Sequence, residues 1–218
     1  MARRLRAAGH EVFLPTLTGL GERSHLLSRD IDLETCAADL VNTLLWEDLR
    51  NVVLVGHSFG GVAISAAADR IPERIRHLVF LDSLIIQDGQ SPFSVLPSEV
   101  AAQRRKLGQE SSGGLSIPVP PPEAFGVIDP ADSQWLREKC TPHPMSTYES
   151  TLSLRHPVGH GLPATYIAVK PDYAPLKAVR EWVRTSTDWQ YVEIDAGHDA
   201  MITSPDVVAD LLLDISAR

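Results

Sequence analysis

The stretch that most constrains this chain is Asn51-Val-Val-Leu-Val-Gly56-His57-Ser58-Phe59-Gly60-Gly61, with Val62-Ala-Ile-Ser-Ala-Ala-Ala68 behind it. The apolar, β-branched run reads as a buried strand and the small-residue segment as a helix. A Gly-x-Ser-x-Gly turn between them leaves the backbone no slack, and the strand–turn–helix order is that of a nucleophile elbow. So tight a turn forces Ser58 into a strained backbone conformation. The spacing predicts that Gly56 and Gly60 remove side chains that would otherwise clash. The hydroxyl is thereby lifted off the carboxyl end of the strand, against the amino end of a helix whose dipole favours developing negative charge.

The remainder of the chain extends the same alternation. Residues 2–8 read as the end of a helix stopped by Gly9, and His10–Pro15 as a short strand followed by the glycine-punctuated loop Thr16–Arg23. Asp32 is placed to cap a helix reaching Trp46, because Leu33, Cys36, Ala37, Leu40, Val41, Leu44 and Leu45 recur at helical spacing. Arg76–Leu81 is a strand that delivers Asp82 and Ser83. After a long interruption, Ala164–Val169 is a strand, Pro175–Arg184 a helix and Tyr191–Ile194 the last strand. Asp195–Asp199 is its exit loop. Ser204 and Pro205 open a closing helix whose buried face would be Val207, Val208, Leu211, Leu212 and Ile215. This pattern predicts an α/β protein, a mostly parallel sheet with flanking helices.

The interruption, residues 84–163, carries prolines, a Ser-Ser-Gly-Gly turn and short amphipathic pieces at Ser98–Leu107, Asp132–Lys139 and Ser146–Leu154. It is too long for a simple loop in a compact domain and reads as a lid inserted between two core strands. The expected division is a core segment 1–83 holding the elbow, the lid 84–163, and a second core segment 164–218. Its aromatic residues Phe93, Phe125, Trp135 and Tyr148 either line an apolar pocket or form the lid's own packing.

With 218 residues the chain can bury a sizeable core, and its formal charge of −8 argues against nucleic acid or an anionic membrane surface as partner. Two cysteines, Cys36 and Cys140, suggest neither a disulfide framework nor a zinc site. No stretch has the length of a signal peptide or a membrane span. A cytoplasmic protein is the expectation.

A serine hydroxyl needs a base to take its proton, and the base needs an acid to hold its tautomer. His198, in a Gly-His loop after the last strand, is the candidate base. His10 and His77 precede strands and fall at the opposite edge, His57 is expected to point away from Ser58, and His143, His156 and His160 read as turn residues of the lid. Two acids are open. Asp82, aimed by the strand that it ends, is favoured over Asp172 in the Lys170-Pro-Asp-Tyr loop. Asp195 and Asp199 read as solvated loop.

Four segments then carry a family resemblance: Ala8–Arg23, Gly56–Gly61, Phe80–Ser83 and Ala196–Met201. Together they resemble an α/β-hydrolase, in the branch of bacterial pyrethroid-type carboxylesterases and the plant methylesterase/hydroxynitrile lyase group. The resemblance implies Ser58 as nucleophile, His198 as base, the backbone amide of Phe59 as an oxyanion donor, and no cofactor or metal. Phe80-Leu-Asp-Ser is similar to the segment from which haloalkane dehalogenases supply their acid, though a serine nucleophile excludes their reaction. The plant lyases carry a lysine after the catalytic histidine. Asp199 stands there in this chain and favours ester hydrolysis over cyanide chemistry, and the apolar residues of the lid suggest a small, largely apolar ester as substrate.

The chain departs from that family at its start. Members begin with further strands and a His-Gly loop that gives a second oxyanion amide, and no segment here matches them. Loss of one such donor costs about 10²–10³ in rate, so a weakly active binding protein is the alternative from another class, beside a lyase-like member. The expectation is an N-terminally shortened hydrolase. It would arise from a late start or a truncation, or the Glu11–Leu14 strand would pair directly with the elbow strand. Open strand edges would invite self-association into a homo-oligomer.

Overall fold

The computed structural model describes all residues, 1–218. Its centre is a four-stranded, wholly parallel sheet made of β1 (Val52–His57), β2 (Ile75–Leu81), β5 (Ala164–Lys170) and β6 (Trp189–Asp195), hydrogen-bonded in that order. A two-stranded antiparallel ribbon, β3 (Ser116–Ile117) with β4 (His143–Pro144), stands apart from it. The helices are α1 (Ala2–Ala7), α2 (Leu33–Trp46), α3 (Gly60–Arg70), α4 (Pro92–Val95), α5 (Ser98–Ser112), α6 (Pro130–Lys139), α7 (Met145–Glu149), α8 (Lys177–Thr185), α9 (Ala200–Thr203) and α10 (Pro205–Ser216).

Side-chain alternation along the strands separates the two faces of the sheet. Leu78 and Phe80 of β2, with Tyr166 and Ala168 of β5, join the larger core under α2 and α3. Val79 and Leu81, with Ile167 and Val169, face the other way and join Val208, Leu212 and Ile215 of α10. Burial of one such aliphatic side chain is worth about 1.5–3 kcal/mol, so α10 is held to the sheet by three residues at helical spacing. Val207, expected on that face, is exposed, and Ala209 is buried instead. Helix α3 is buried from Gly61 to Asp69, which its run of alanines allows because its two buried polar side chains are satisfied: Ser65 donates to Gly61 O, and Asp69 accepts from the amides of Arg155 and His156. Helix α2 packs across it, opened by a reciprocal cap between Asp32 and Thr35.

One expected strand is absent. His10–Pro15 carries no ladder bonds, and Phe13 and Leu14 are exposed. A parallel strand needs a neighbour, and the sheet ends at β1, whose outer edge bonds to no other strand. Direct pairing of this segment with the elbow strand is therefore not formed. The segment 84–163 adds no strand to the main sheet and folds as α4–α7 with the β3–β4 ribbon. Its helix at 98 runs on to Ser112, where Gly113 in a left-handed conformation ends it, and its last piece stops at Glu149. No helix is long and apolar enough to cross a membrane.

Candidate active site

Parallel strands deliver their exit loops to one edge, and three of those loops meet here. Ser58 follows β1 at φ 51°, in the region that favours glycine. Its amide donates to Leu81 O at 3.3 Å, and its carbonyl accepts from Leu84 N at 2.8 Å, so the exit of β2 clamps the elbow in place. Gly56 is required, since a Cβ there would lie 2.6 Å from the Gly60 carbonyl oxygen. Gly60 is not the second clash: a Cβ at that position meets nothing within 4 Å. Gly61 takes that role, because a side chain would fall 2.4 Å from Leu84 O, where α3 presses on the end of β2.

The hydroxyl of Ser58 lies 3.0 Å from Nε2 of His198, and Nδ1 of His198 lies 2.6 Å from Oδ2 of Asp82. A carboxylate can only accept here, so Nδ1 carries the proton and Nε2 turns its lone pair toward Ser58. Asp82 is wholly buried at φ 41°, a second non-glycine in the left-handed region at the end of β2. Its other oxygen, Oδ1, accepts from Nε and Nη2 of Arg180 at 3.1 and 2.5 Å. Arg180 itself is 1% exposed and reaches in from α8, also donating to Val169 O at 3.1 Å. Asp172 sits outside this chain of bonds. Its carboxylate is 51% exposed and accepts from Nη1 of Arg180 at 2.5 Å, with no bond to His198.

Two rings lie against His198. Tyr173 stacks on it at 3.9 Å between centroids and 16° between planes, and His57 lies against it at 4.6 Å, tilted by 46°. His57 turns its ring to the base, a contact its sequence position did not suggest: its Nε2–H donates to the carbonyl of His198 at 3.0 Å. Burial, with His198 beside it, pushes the pKa of His57 down to about 3, which keeps that donor neutral. Asp199 is likewise no solvated loop residue. It is buried, its Oδ1 lies 3.6 Å from His57 Nε2, and burial lifts its pKa to about 6 against the attraction of His198.

The Phe59 amide, at the start of α3, is engaged by no other backbone carbonyl. The Phe59 ring meets His143 at 4.5 Å and Tyr148 at 5.1 Å, and Phe93 backs Tyr148 at 5.2 Å. Burial pushes the His143 pKa down to about 3 as well. Phe125 stands 5.9 Å from His198, whereas Trp135 is half exposed on α6. The aromatic set therefore divides into packing around Phe59 and one ring near the base. Sequence reasoning missed Arg180 and Tyr173. Arg180 had a legible signal, a charge between Val179 and Val183 in the apolar stripe of α8.

Residues 2–211 match the sequence profile of the alpha/beta hydrolase family. The carbendazim hydrolyzing esterase of Nocardioides sp. (strain SG-4G) is 36% identical over 221 residues, covering 97% of this chain and 90% of that protein. The pyrethroid hydrolase of Sphingobium wenxiniae is 33% identical over 98 residues, 44% of this chain and 34% of that protein. Among solved structures, an extracellular alpha/beta-hydrolase from a Paenibacillus species superposes with a TM-score of 0.83 at 24% identity, covering 98% of this chain and 90% of that one.

Proposed function

The chain belongs to the alpha/beta hydrolase family, and from that premise we propose that it is a serine carboxylesterase in which Ser58, His198 and Asp82 act in sequence. The observation that carries this reading is the unbroken line of contacts from Ser58 Oγ through both ring nitrogens of His198 to Asp82 Oδ2. Ser58 Oγ attacks the ester carbonyl while its proton passes to His198 Nε2. Negative charge on the carbonyl oxygen develops beside the Phe59 amide and the amino end of α3. Nε2 returns the proton to the departing alcohol. Water then gives a proton to the same nitrogen and attacks the acyl group, and Nε2 returns that proton to Ser58 Oγ as the acyl–serine bond breaks, releasing the carboxylic acid and the free serine hydroxyl. Ester and water are consumed, and alcohol and acid are formed. Asp82 stays ionised throughout and supports the imidazolium. Neither a metal nor an organic cofactor takes part in these steps.

The substrate class in this reading is a small, largely apolar ester, a reading supported by Tyr173 and Phe125 beside His198 and by Phe59, next to Ser58 in sequence, packed against Tyr148. The relative that hydrolyses carbendazim makes carbendazim the first compound to assay. Cys36 and Cys140 are both free thiols, which supports a reducing compartment such as the cytoplasm. A fluorophosphonate probe tests the proposal. It should label wild-type protein and leave Ser58→Ala unmarked, and folded wild-type protein that takes no label would sink the reading.

A further inference from the structure

Away from Ser58, at the far end of α3, a second group of titratable side chains converges. Asp69 is buried near the carboxyl end of the helix, and the loop leading into β5 folds onto it. The amides of Arg155 and His156 donate to its carboxylate at 3.0–3.1 Å, and Nδ1 of His156 donates to Oδ1 at 3.0 Å. His160, one turn further along the loop, packs its ring 4.0 Å from that of His156. One donor atom from each of Asp69, His156 and His160 lies within 4.8 Å of the others. Nδ1 of His160 is buried and has no hydrogen-bond partner. A buried ring nitrogen left without a partner is destabilising, and nothing in the ester-cleaving site calls for it.

We propose that Asp69, His156 and His160 form a binding site for a borderline divalent transition-metal ion such as Zn²⁺. Two imidazoles and one carboxylate are the ligand set that such ions favour over hard cations, which want all-oxygen shells. Ligand bonds of about 2.0–2.2 Å put tetrahedral donors roughly 3.4 Å apart. The Asp69–His156 pair, at 3.0 Å, is close to that spacing, and His160, whose donor lies within 4.8 Å of both, can close the remainder by turning between Gly159 and Gly161. The charge is suited as well, because Asp69 presents a carboxylate already oriented by the amides of Arg155 and His156 and by the His156 ring. His156 can ligate without net proton release, by moving its proton from Nδ1 to Nε2. Its side chain is 48% exposed, which leaves an entry path and room for water as a fourth ligand. A second trio, His57, His198 and Asp199, is also compact. It is a poor competitor, because Asp82 and Ser58 engage both ring nitrogens of His198.

An ion at Asp69 would staple the end of the 84–163 segment to the elbow helix, about 16 Å along that helix from the nucleophile. Its effect is on stability and not on turnover. The test is titration of the EDTA-stripped full chain with Co²⁺ and Zn²⁺, read by visible absorption, calorimetry and thermal unfolding. The expected result is one ion per chain, a tetrahedral Co²⁺ spectrum displaced by Zn²⁺, and a Tm rise of roughly 5–10 °C at 100-fold excess over Kd. His160→Ala and His156→Ala should each weaken binding at least tenfold while metal-free ester hydrolysis stays at the wild-type rate. The proposal is overturned by an absence of saturable binding at submillimolar Zn²⁺, or by affinity unchanged in His160→Ala. Binding that survives both histidine variants and abolishes hydrolysis also overturns it, by placing the ion on His57 and His198.

Discussion

Arg180 binds Asp82 through two N–H groups that converge on a single oxygen, Oδ1, and so leaves Oδ2 to His198 alone. The fold needs this because the carboxylate is wholly enclosed, and a buried charge without a partner is not tolerated. The guanidinium also reaches Asp172, so one cation is shared by both acids that the sequence offered. The sharing is unequal: Asp82 is sealed in, whereas Asp172 stands half in solvent.

The two acids are therefore separable by substitution. Asp82→Asn is expected to lower kcat by about 10³–10⁴, the scale set by loss of the carboxylate in a serine triad. Asp172→Asn should change kcat only a few-fold. Steady-state kinetics on a chromogenic ester decide it, and a collapse confined to Asp172→Asn would reverse the assignment.

Arg180 acts through Asp82 and is a positioning residue. Removing it leaves the buried Asp82 carboxylate without both N–H donors on Oδ1. In Arg180→Met kcat should fall by about 10²-fold with KM little changed, and in Arg180→Lys, which keeps the charge, it should fall less. Steady-state kinetics normalised to fluorophosphonate-titrated active sites check it, since a merely structural role would lower the active fraction and leave kcat per active site unchanged.

Glycines in the elbow differ in what they tolerate. Gly60→Ala faces open space and should fold with wild-type stability, whereas Gly56→Ala and Gly61→Ala drive a Cβ into a backbone oxygen. These two should lose 3 kcal/mol or more, on the scale of about 1–3 kcal/mol for ordinary overpacking. Urea unfolding of the three variants provides the check.

Asp199 gives stability a definite dependence on pH. Its pKa is raised from 3.8 to about 6 in the folded chain, so the native state holds the proton more tightly than the unfolded state. That contribution is complete below about pH 4 and is lost as pH rises through about 6. Asp199→Asn cannot titrate. The difference in Tm, variant minus wild type, should therefore be several degrees more positive at pH 8 than at pH 4, and an equal difference at both values would refute the burial argument.

His143 works in the opposite sense. Its pKa falls from 6.5 to about 3 on folding, so the unfolded chain takes up a proton first as the medium is acidified. Stability contributed by the neutral ring is present above pH 6.5 and drains away below it. His143→Gln should flatten the loss of unfolding free energy between pH 6.5 and 4.5 by about one proton's slope, while keeping a donor for Thr147 Oγ1.

What was legible beforehand follows the range of the interactions. The elbow, the α2 cap at Asp32 and the strands that end at Leu81 and Lys170 are set by residues adjacent in sequence, and their boundaries agree with expectation to within a residue or two. His198 and Asp82 could be named because each ends a strand or follows one. The failures are contacts across the chain. His57 turns toward His198 because the carbonyl of the histidine accepts its Nε2–H, 141 residues away. Gly61, and not Gly60, meets the end of β2. His10–Pro15 has strand composition, but composition cannot supply the neighbour that a strand requires.

The rings around His198 have one further consequence. With Tyr173 stacked on it, His57 beside it and Nδ1 tied to Asp82, the imidazole is held in one orientation. In the proposed reaction the proton taken from Ser58 is handed on from the same nitrogen, so the leaving oxygen has to come within reach of Nε2. Choice among esters would then fall on the alcohol half, by whether its oxygen can swing into the edge of a fixed ring, while the acyl half is judged by fit alone.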